Sequence, residues 1–108
     1  MKFKSTEVNM QPEILKVKTG AEYTAVITLD FTGVASGVIK AGQPISNAGK
    51  PVNDGTAVGI LYTDATSDNP NGTIIKAFAV VNETNCNTNA GITIATEVKT
   101  ALPLIVFE

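Results

Sequence analysis

Residues 53–63 read Asn53-Asp54-Gly55-Thr56-Ala57-Val58-Gly59-Ile60-Leu61-Tyr62-Thr63. Asn-Asp-Gly is turn chemistry, because short polar side chains bond to nearby backbone and glycine takes conformations closed to other residues. The apolar run from Thr56 to Thr63 is short, which fits a buried strand. Gly59 in its middle marks a bulge or a close backbone approach.

Working outward, Asn47–Lys50 is another turn. Gln43-Pro44-Ile45 is an extended piece, and Pro44 keeps it out of a central ladder because it has no N–H to donate. Ala41-Gly42 turns the chain, and Ser36–Lys40 is a short strand. Tyr23, Ala25, Ile27, Leu29 and Phe31 alternate with Thr24, Thr28 and Asp30, with Val26 out of pattern. That period of two predicts a half-buried strand ended by Thr32-Gly33. Glu13–Thr19 reads as an edge strand, interrupted by Gly20.

Downstream, Asp64–Gly72 is a polar loop that closes on an Asn71-Gly72 turn. Thr73–Val81 reads as the most continuous strand, and Asn82–Asn89, with four asparagines, as a loop. Ile94, Val98 and Leu102 recur every four residues, which predicts a helix over Ile94–Thr100 ended by Pro103. Ile92–Ile94 would also suit a strand. Leu104–Phe107 is a last apolar strand. The first eleven residues show no period. The expectation is a flexible N-terminal arm over 1–11 and a single β-rich domain over 12–108, mostly β, with one short C-terminal helix.

Composition agrees. A chain of 108 residues is one domain. Val and Ile together number 21 and Thr 14, all β-branched and strand-favouring. Charged residues are 17%, below the ~25% of an average soluble domain. The surface must therefore expose Thr, Asn, Ala and Gly, or be covered by association. The chain has no His, Arg or Trp and a net charge of −2. Lack of His removes the usual general base and the commonest metal ligand. Lack of a basic face argues against nucleic acid, whose binding is driven by counterion release. No apolar run approaches the ~20 residues of a membrane span, and Ser5-Thr6-Glu7 leaves no signal-peptide core. The expectation is a soluble protein made in the cytoplasm, without membrane, nucleic acid, metal or cofactor.

The candidate reactive groups are few. Cys86 has no histidine to hold a thiolate and cannot form an internal disulfide, so it reads as an ordinary loop or half-buried thiol. Asp54, Asp64 and Asp68 lie close in sequence, yet their spacing misses the EF-hand pattern and suits Asx turns. Asn71-Gly72-Thr73 and Asn82-Glu83-Thr84 match the glycosylation sequon at a rate that nine Asn and 14 Thr produce by chance. Gly49-Lys50-Pro51 lacks the remaining parts of a phosphate loop. Lys2, Lys4, Lys16 and Lys18 make the N-terminal quarter mildly basic, diluted by Glu7, Glu13 and Glu22. Such an arm is either a solvated face or a segment drawn to an acidic protein surface.

Two stretches carry a resemblance. Gly37-Val38-Ile39-Lys40-Ala41-Gly42-Gln43-Pro44-Ile45 is followed by Asn53–Leu61 and then Asp64. Together they resemble the head-decoration proteins of tailed bacteriophages, the lambda-like family of small capsid-stabilising proteins. The residues that match are Gly42, Pro44, Asp54, Gly55, Val58, Gly59, Ile60 and Leu61. The ending Ala101-Leu102-Pro103-Leu104-Ile105-Val106-Phe107-Glu108 also looks like that family's. The likeness covers about residues 20–108.

This resemblance implies a β-clip-like or barrel-like domain. It implies trimers on the outer surface of the virion capsid, at three-fold and quasi-three-fold sites, bound to the major capsid protein and to copies of themselves. The protein would be made in the bacterial host cytoplasm and would have no catalytic residue. Its arm would order on the capsid, placing Lys2, Phe3, Lys4, Val8, Met10, Ile14 and Val17 as contacts. Strand addition suits such an arm because backbone bonds give affinity with little demand on sequence.

The rival readings are a head-fibre base or tail structural β domain, and a carbohydrate- or surface-binding β module. Sugar-binding modules present exposed aromatics, whereas Phe31, Phe78 and Phe107 lie in apolar strand patterns and read as core. A lipoyl-type carrier needs a lysine on a tight hairpin tip, for which Lys40 is a poor fit. An enzyme would have only Asp, Glu, Lys and Tyr for acid–base work.

Overall fold

The structure is a computed structural model and describes residues 14–17, 20 and 22–108. The arm over 1–11 lies outside them. Strands take 38% of the described residues and helices 15%, so they form a small, mostly β domain. The order is β1 (Leu15–Val17), β2 (Tyr23–Thr28), β3 (Val38–Ile39), β4 (Pro44–Ser46), β5 (Ala57–Leu61), β6 (Ala65–Thr66), β7 (Asn71–Ala77), β8 (Ala79–Val81), α1 (Glu83–Ala90), α2 (Thr96–Ala101) and β9 (Ile105–Phe107).

The central sheet runs β2-β7-β5-β4, all antiparallel. Its strand β5 is buried on both faces. Ile60 stands opposite Ile75 and points into one core, while Leu61 stands opposite Ile74 and points into a second. This explains why 57–61 is continuously apolar instead of alternating. The first core holds Ile14, Val81, Cys86, Val98 and Ile105 beside Ile60 and Ile75. The second holds Leu29, Ile39, Ile45 and Ala65 beside Leu61 and Ile74. A β3–β6 ribbon supplies Ile39 and Ala65 to the second core.

The third sheet runs β1-β8-β9. Strands β8 and β9 are parallel, with Ala79, Val80 and Val81 opposite Ile105, Val106 and Phe107. Parallel neighbours need a crossover of a dozen or more residues, which is usually helical. Residues 82–104 supply it and contain both helices.

That crossover corrects one expectation. Asn82–Asn89 is not a loop but mostly α1, so the fold has two short helices instead of one. Asn82 caps α1, its Oδ1 accepting from the Asn85 N–H at 3.0 Å. Gly91 closes the helix in the left-handed conformation, φ 72°. Asn87 Oδ1 accepts from the Ile94 N–H at 3.0 Å, and Asn89 Nδ2 donates to the Ala41 carbonyl at 2.8 Å. Asparagine is a poor helix former by itself. Here its side chains serve as a cap and as tertiary ties, and packing overrides propensity. The helix expected near 94–100 is α2, at 96–101.

Three further expectations change. Asn71-Gly72 is not a turn but the start of β7. A Cβ at residue 72 would lie 2.9 Å from both Leu29 Cδ1 and Leu61 Cδ1, so this glycine makes room for the second core. Thr73–Val81 is not one strand. It breaks at Phe78, whose φ of 59° passes the chain from the central sheet to the third one. The polar stretch before β7 also holds the two residues of β6. Other expectations hold: β4, with Pro44, is an outer strand, and residues 105–107 form the final strand.

Gly42 is a point of close approach between the β4 turn and α1. Its φ is 94°, and an added Cβ would lie 2.6 Å from Cys86 Cα. Gly42→Ala therefore combines backbone strain with overpacking and should destabilise the domain by about 3 kcal/mol. Gly55, with nothing within 4 Å of a built Cβ, is the control. Gly55→Ala should shift stability by less than about 0.5 kcal/mol. Denaturant midpoints of the two variants test the contrast.

Candidate functional site

The segments that carry the sequence resemblance fold into one unit. Pro44 stands opposite Ile60 and Ile45 opposite Gly59. The Gly42 N–H donates to the Leu61 carbonyl at 2.8 Å, and the Leu61 N–H to the Gln43 carbonyl at 2.9 Å. Ser46 stands opposite Ala57, so Val58 is left as the extra residue of a bulge. Gly59 allows the close approach expected of it, since a Cβ there would meet the Ile75 carbonyl at 2.9 Å.

The Asn53–Thr56 turn holds the far end of that unit. Asp54 Oδ1 accepts from the Thr56 N–H at 2.9 Å and from its hydroxyl at 2.5 Å. These bonds hold the Asp54 carboxyl below the usual carboxylate range. Asn53 donates to the Thr93 carbonyl and accepts from the Ala95 N–H, each at 2.8 Å, and so ties the turn to the crossover. Beside the turn an open groove of about 320 Å³ is lined by Gly55, Thr96, Glu97, Thr100 and Ala101.

The three aspartates do different work. Asp54 makes an Asx turn. Asp64 ties distant segments together: its Oδ1 accepts from the Ala41 N–H at 2.7 Å and from Asn89 Nδ2 at 3.2 Å, and Lys40 Nζ lies 3.5 Å from its Oδ2. Asp68 is exposed. Among the described residues no three of His, Cys, Asp and Glu are grouped to hold a metal ion. No helix among them is long and apolar enough to cross a membrane.

Cys86 is fully buried on α1. Burial, with a smaller contribution from the Glu83 charge, pushes its thiol up to about 12. A thiolate is therefore absent near neutral pH, and with it the nucleophile.

Of the expected arm contacts, Lys2, Phe3, Lys4, Val8 and Met10 lie outside the described residues. Ile14 is 1% exposed, its side chain is committed to the first core, and its carbonyl accepts from the Asn82 N–H at 2.7 Å. Val17 stands opposite Val80 on β1.

The surface holds a feature that sequence reading missed. The exposed large apolar side chains are Tyr23 (54%), Val26 (73%), Phe78 (58%), Leu104 (56%) and Val106 (48%). Phe78, read as core, points to solvent. Among the described residues it is the one non-glycine with positive φ. Phe31 and Phe107 pack as half-buried margins of the two cores. Backbone pairing brings Tyr23 and Leu104 near the corner at Phe78. Tyr23 stands opposite Ala77, the residue before Phe78, and the Phe78 N–H donates to the Leu104 carbonyl at 2.8 Å. Lys76 Nζ lies 5.7 Å from the Tyr23 ring centre. No signal in 73–81 marked the break, because Ile74 and Ile75 serve opposite cores and erase the period of two.

The buried thiol gives a prediction. A thiol-specific reagent should leave native Cys86 unlabelled and react only at the rate of unfolding. The unfolded thiol ionises near 9.0 and the folded one near 12. Burial of the neutral thiol is thus fully compatible with folding below pH 9.0, and stability falls as pH rises from there toward 12. Cys86→Ala should lack that share of the alkaline slope in denaturant titrations. Comparison with known protein families, curated proteins and solved structures finds no match to this chain.

Proposed function

We propose that this chain is a capsid decoration protein of a tailed phage. It binds the outer surface of the head as trimers at three-fold and quasi-three-fold sites, contacts the major capsid protein, and cements the expanded shell. The observation that carries this reading is that the two stretches resembling the decoration family, 37–45 and 53–61, pair with each other as a single β4–β5 unit around Gly42 and Gly59.

Two physical points support it. The thiol is buried, and Asp54 and Asp64 are engaged in turn and tertiary bonds, as suits a scaffold. Segment 1–11, with Lys2, Phe3, Lys4, Val8 and Met10, precedes a domain whose first described residue is already anchored in the core. It is a natural candidate for adding to a strand of the capsid protein. Three such arms per trimer turn weak contacts into a tight hold, because each binding event raises the effective concentration of the next. A second reading, a glycan- or surface-binding β module, is favoured by the exposed rings of Tyr23 and Phe78.

Quantitative mass spectrometry of purified virions tests the proposal. A ratio near one copy per major capsid protein is expected. A handful of copies moves the reading to a head-fibre base or a tail part, and absence from the particle overturns it. Deletion of residues 1–11 should leave the unfolding temperature unchanged and weaken binding to expanded shells about tenfold or more. Unchanged shell binding removes the arm from the mechanism.

A further inference from the structure

Two places in the chain put glycine directly after an acidic or amide side chain: Asp54-Gly55 and Asn71-Gly72. Such pairs carry a chemistry of their own. The glycine nitrogen attacks the side-chain carbonyl carbon before it, with no Cβ in the way, and closes a succinimide ring. Asparagine expels ammonia in that step and aspartate expels water. The amide is the better electrophile, because an ionised carboxylate repels a nucleophile. In an unfolded chain Asn71 is therefore the more reactive of the two.

The fold reverses that order. Gly72 is buried in β7, opposite Ile27. The Leu29 N–H donates to the Pro70 carbonyl at 2.8 Å. Ladder bonds alternate along an antiparallel pair, so two positions on the Gly72 N–H is directed at the Ile27 carbonyl. The Asn71 Oδ1 accepts from the Thr28 hydroxyl at 3.3 Å, and Leu29 and Leu61 fill the space beside Gly72. The nucleophile is taken and the ring has no room. Gly55 is the opposite case. It is exposed, nothing lies within 4 Å of a built Cβ, and among the described residues its N–H donates no hydrogen bond. Asp54 Oδ1 already accepts from the Thr56 N–H at 2.9 Å and from the Thr56 hydroxyl at 2.5 Å. That turn curls the carboxyl over the intervening Gly55 nitrogen. Attack at Cγ puts negative charge on Oδ1, where two donors stand ready to stabilise it.

We propose that Asp54 is a self-modifying site of the folded protein, converting through a succinimide with Gly55 to isoaspartate, while strand β7 keeps Asn71 intact. The Gly55 nitrogen bonds to Asp54 Cγ and loses its proton, and one carboxyl oxygen leaves as water. A water then adds to either ring carbonyl. Addition at Cγ restores aspartate. Addition at the α-carbonyl breaks its bond to the Gly55 nitrogen and leaves the main chain running through Cβ and Cγ. One water leaves and one returns, so the product has the parent's mass. The neutral carboxyl is the reacting form. The Thr56 bonds hold Asp54 below the usual carboxylate range, so this form is scarce at neutral pH and grows as pH falls. The product adds a methylene to the main chain of the turn by which Asn53 holds Thr93 and Ala95. This chemistry does not depend on the capsid reading.

The test ages the full chain for weeks at neutral pH, folded in one sample and in urea in another. A protease that cuts before aspartate but not before isoaspartate, with fragment-ion mass spectrometry, reads both sites. In the folded sample isoaspartate builds up at 54, and Asn71 loses its amide at least about tenfold more slowly than in urea. In urea Asn71 converts first. The folded rate at 54 rises between about pH 7 and about pH 5. Gly55→Ala lowers that rate about tenfold, because a Cβ crowds the attacking nitrogen, and leaves the unfolding temperature unchanged. A folded sample whose Asn71 converts before Asp54 overturns the assignment. So does a residue 54 that stays aspartate while Asn71 in urea converts fully, or a Gly55→Ala variant that isomerises at the parent's rate.

Discussion

The contact between Gly42 and Cys86 organises the molecule. The backbone of the β4 turn lies so close to α1 that no Cβ fits at residue 42. The approach is locked on both sides by Asp64 and Asn89, which share the polar groups of Ala41: one accepts its N–H and the other donates to its carbonyl. With α1 held there, Cys86 fills the first core between the central sheet and the third one. The helix then starts the crossover that returns the chain as β9, parallel to β8. Loosening this contact would release the crossover, and with it the only route by which β9 reaches its neighbour. Burial of a small thiol with no charged partner is what the position asks for, and the same burial silences its chemistry.

Much of the fold could be read from sequence where a single physical cause dominated. The alternation of 23–31 placed β2. The broken apolar run of 56–63 placed β5 and its special glycine, and spacing by four placed α2. Reading failed where two causes competed. In 73–81, residues facing opposite cores produced a uniform apolar run that hid the break at Phe78. In 82–89, local propensity argued for a loop, while the tertiary bonds of Asn87 and Asn89 made a helix. At 71–72 the Asn-Gly pair has turn chemistry, but Gly72 is there because Leu29 and Leu61 occupy the space beside it. Each failure comes from long-range packing that a local window does not contain.

The candidate site was less legible. Composition indicated a surface poor in charge, either exposing small polar residues or covered by association, but not which residues form it. Four of the five exposed apolar side chains sit in patterns that also suit a core. For Tyr23, Val26 and Val106 exposure follows sheet order, since an outer strand lacks the cover a central strand keeps, whereas Phe78 is exposed at the break between β7 and β8. The turn at Asn53–Thr56 was legible as a turn. Its tie to residues 93–95 was not, because that bond spans about forty positions.

The third sheet has a consequence for how the chain is made. Its middle strand, β8, is flanked by β1 from near the start of the chain and by β9 from residues 105–107. On the ribosome, residues 15–81 can emerge and pair, yet the sheet stays open on one side until residue 107 has cleared the exit tunnel. Ile105, a member of the first core, arrives with it. Closure therefore waits on the crossover, because β9 reaches β8 only once residues 82–104 are in place. Until then the nascent chain shows the exposed side of β8 to its neighbours. On a polysome making many copies, that interval is when one chain's final strand can complete another chain's sheet.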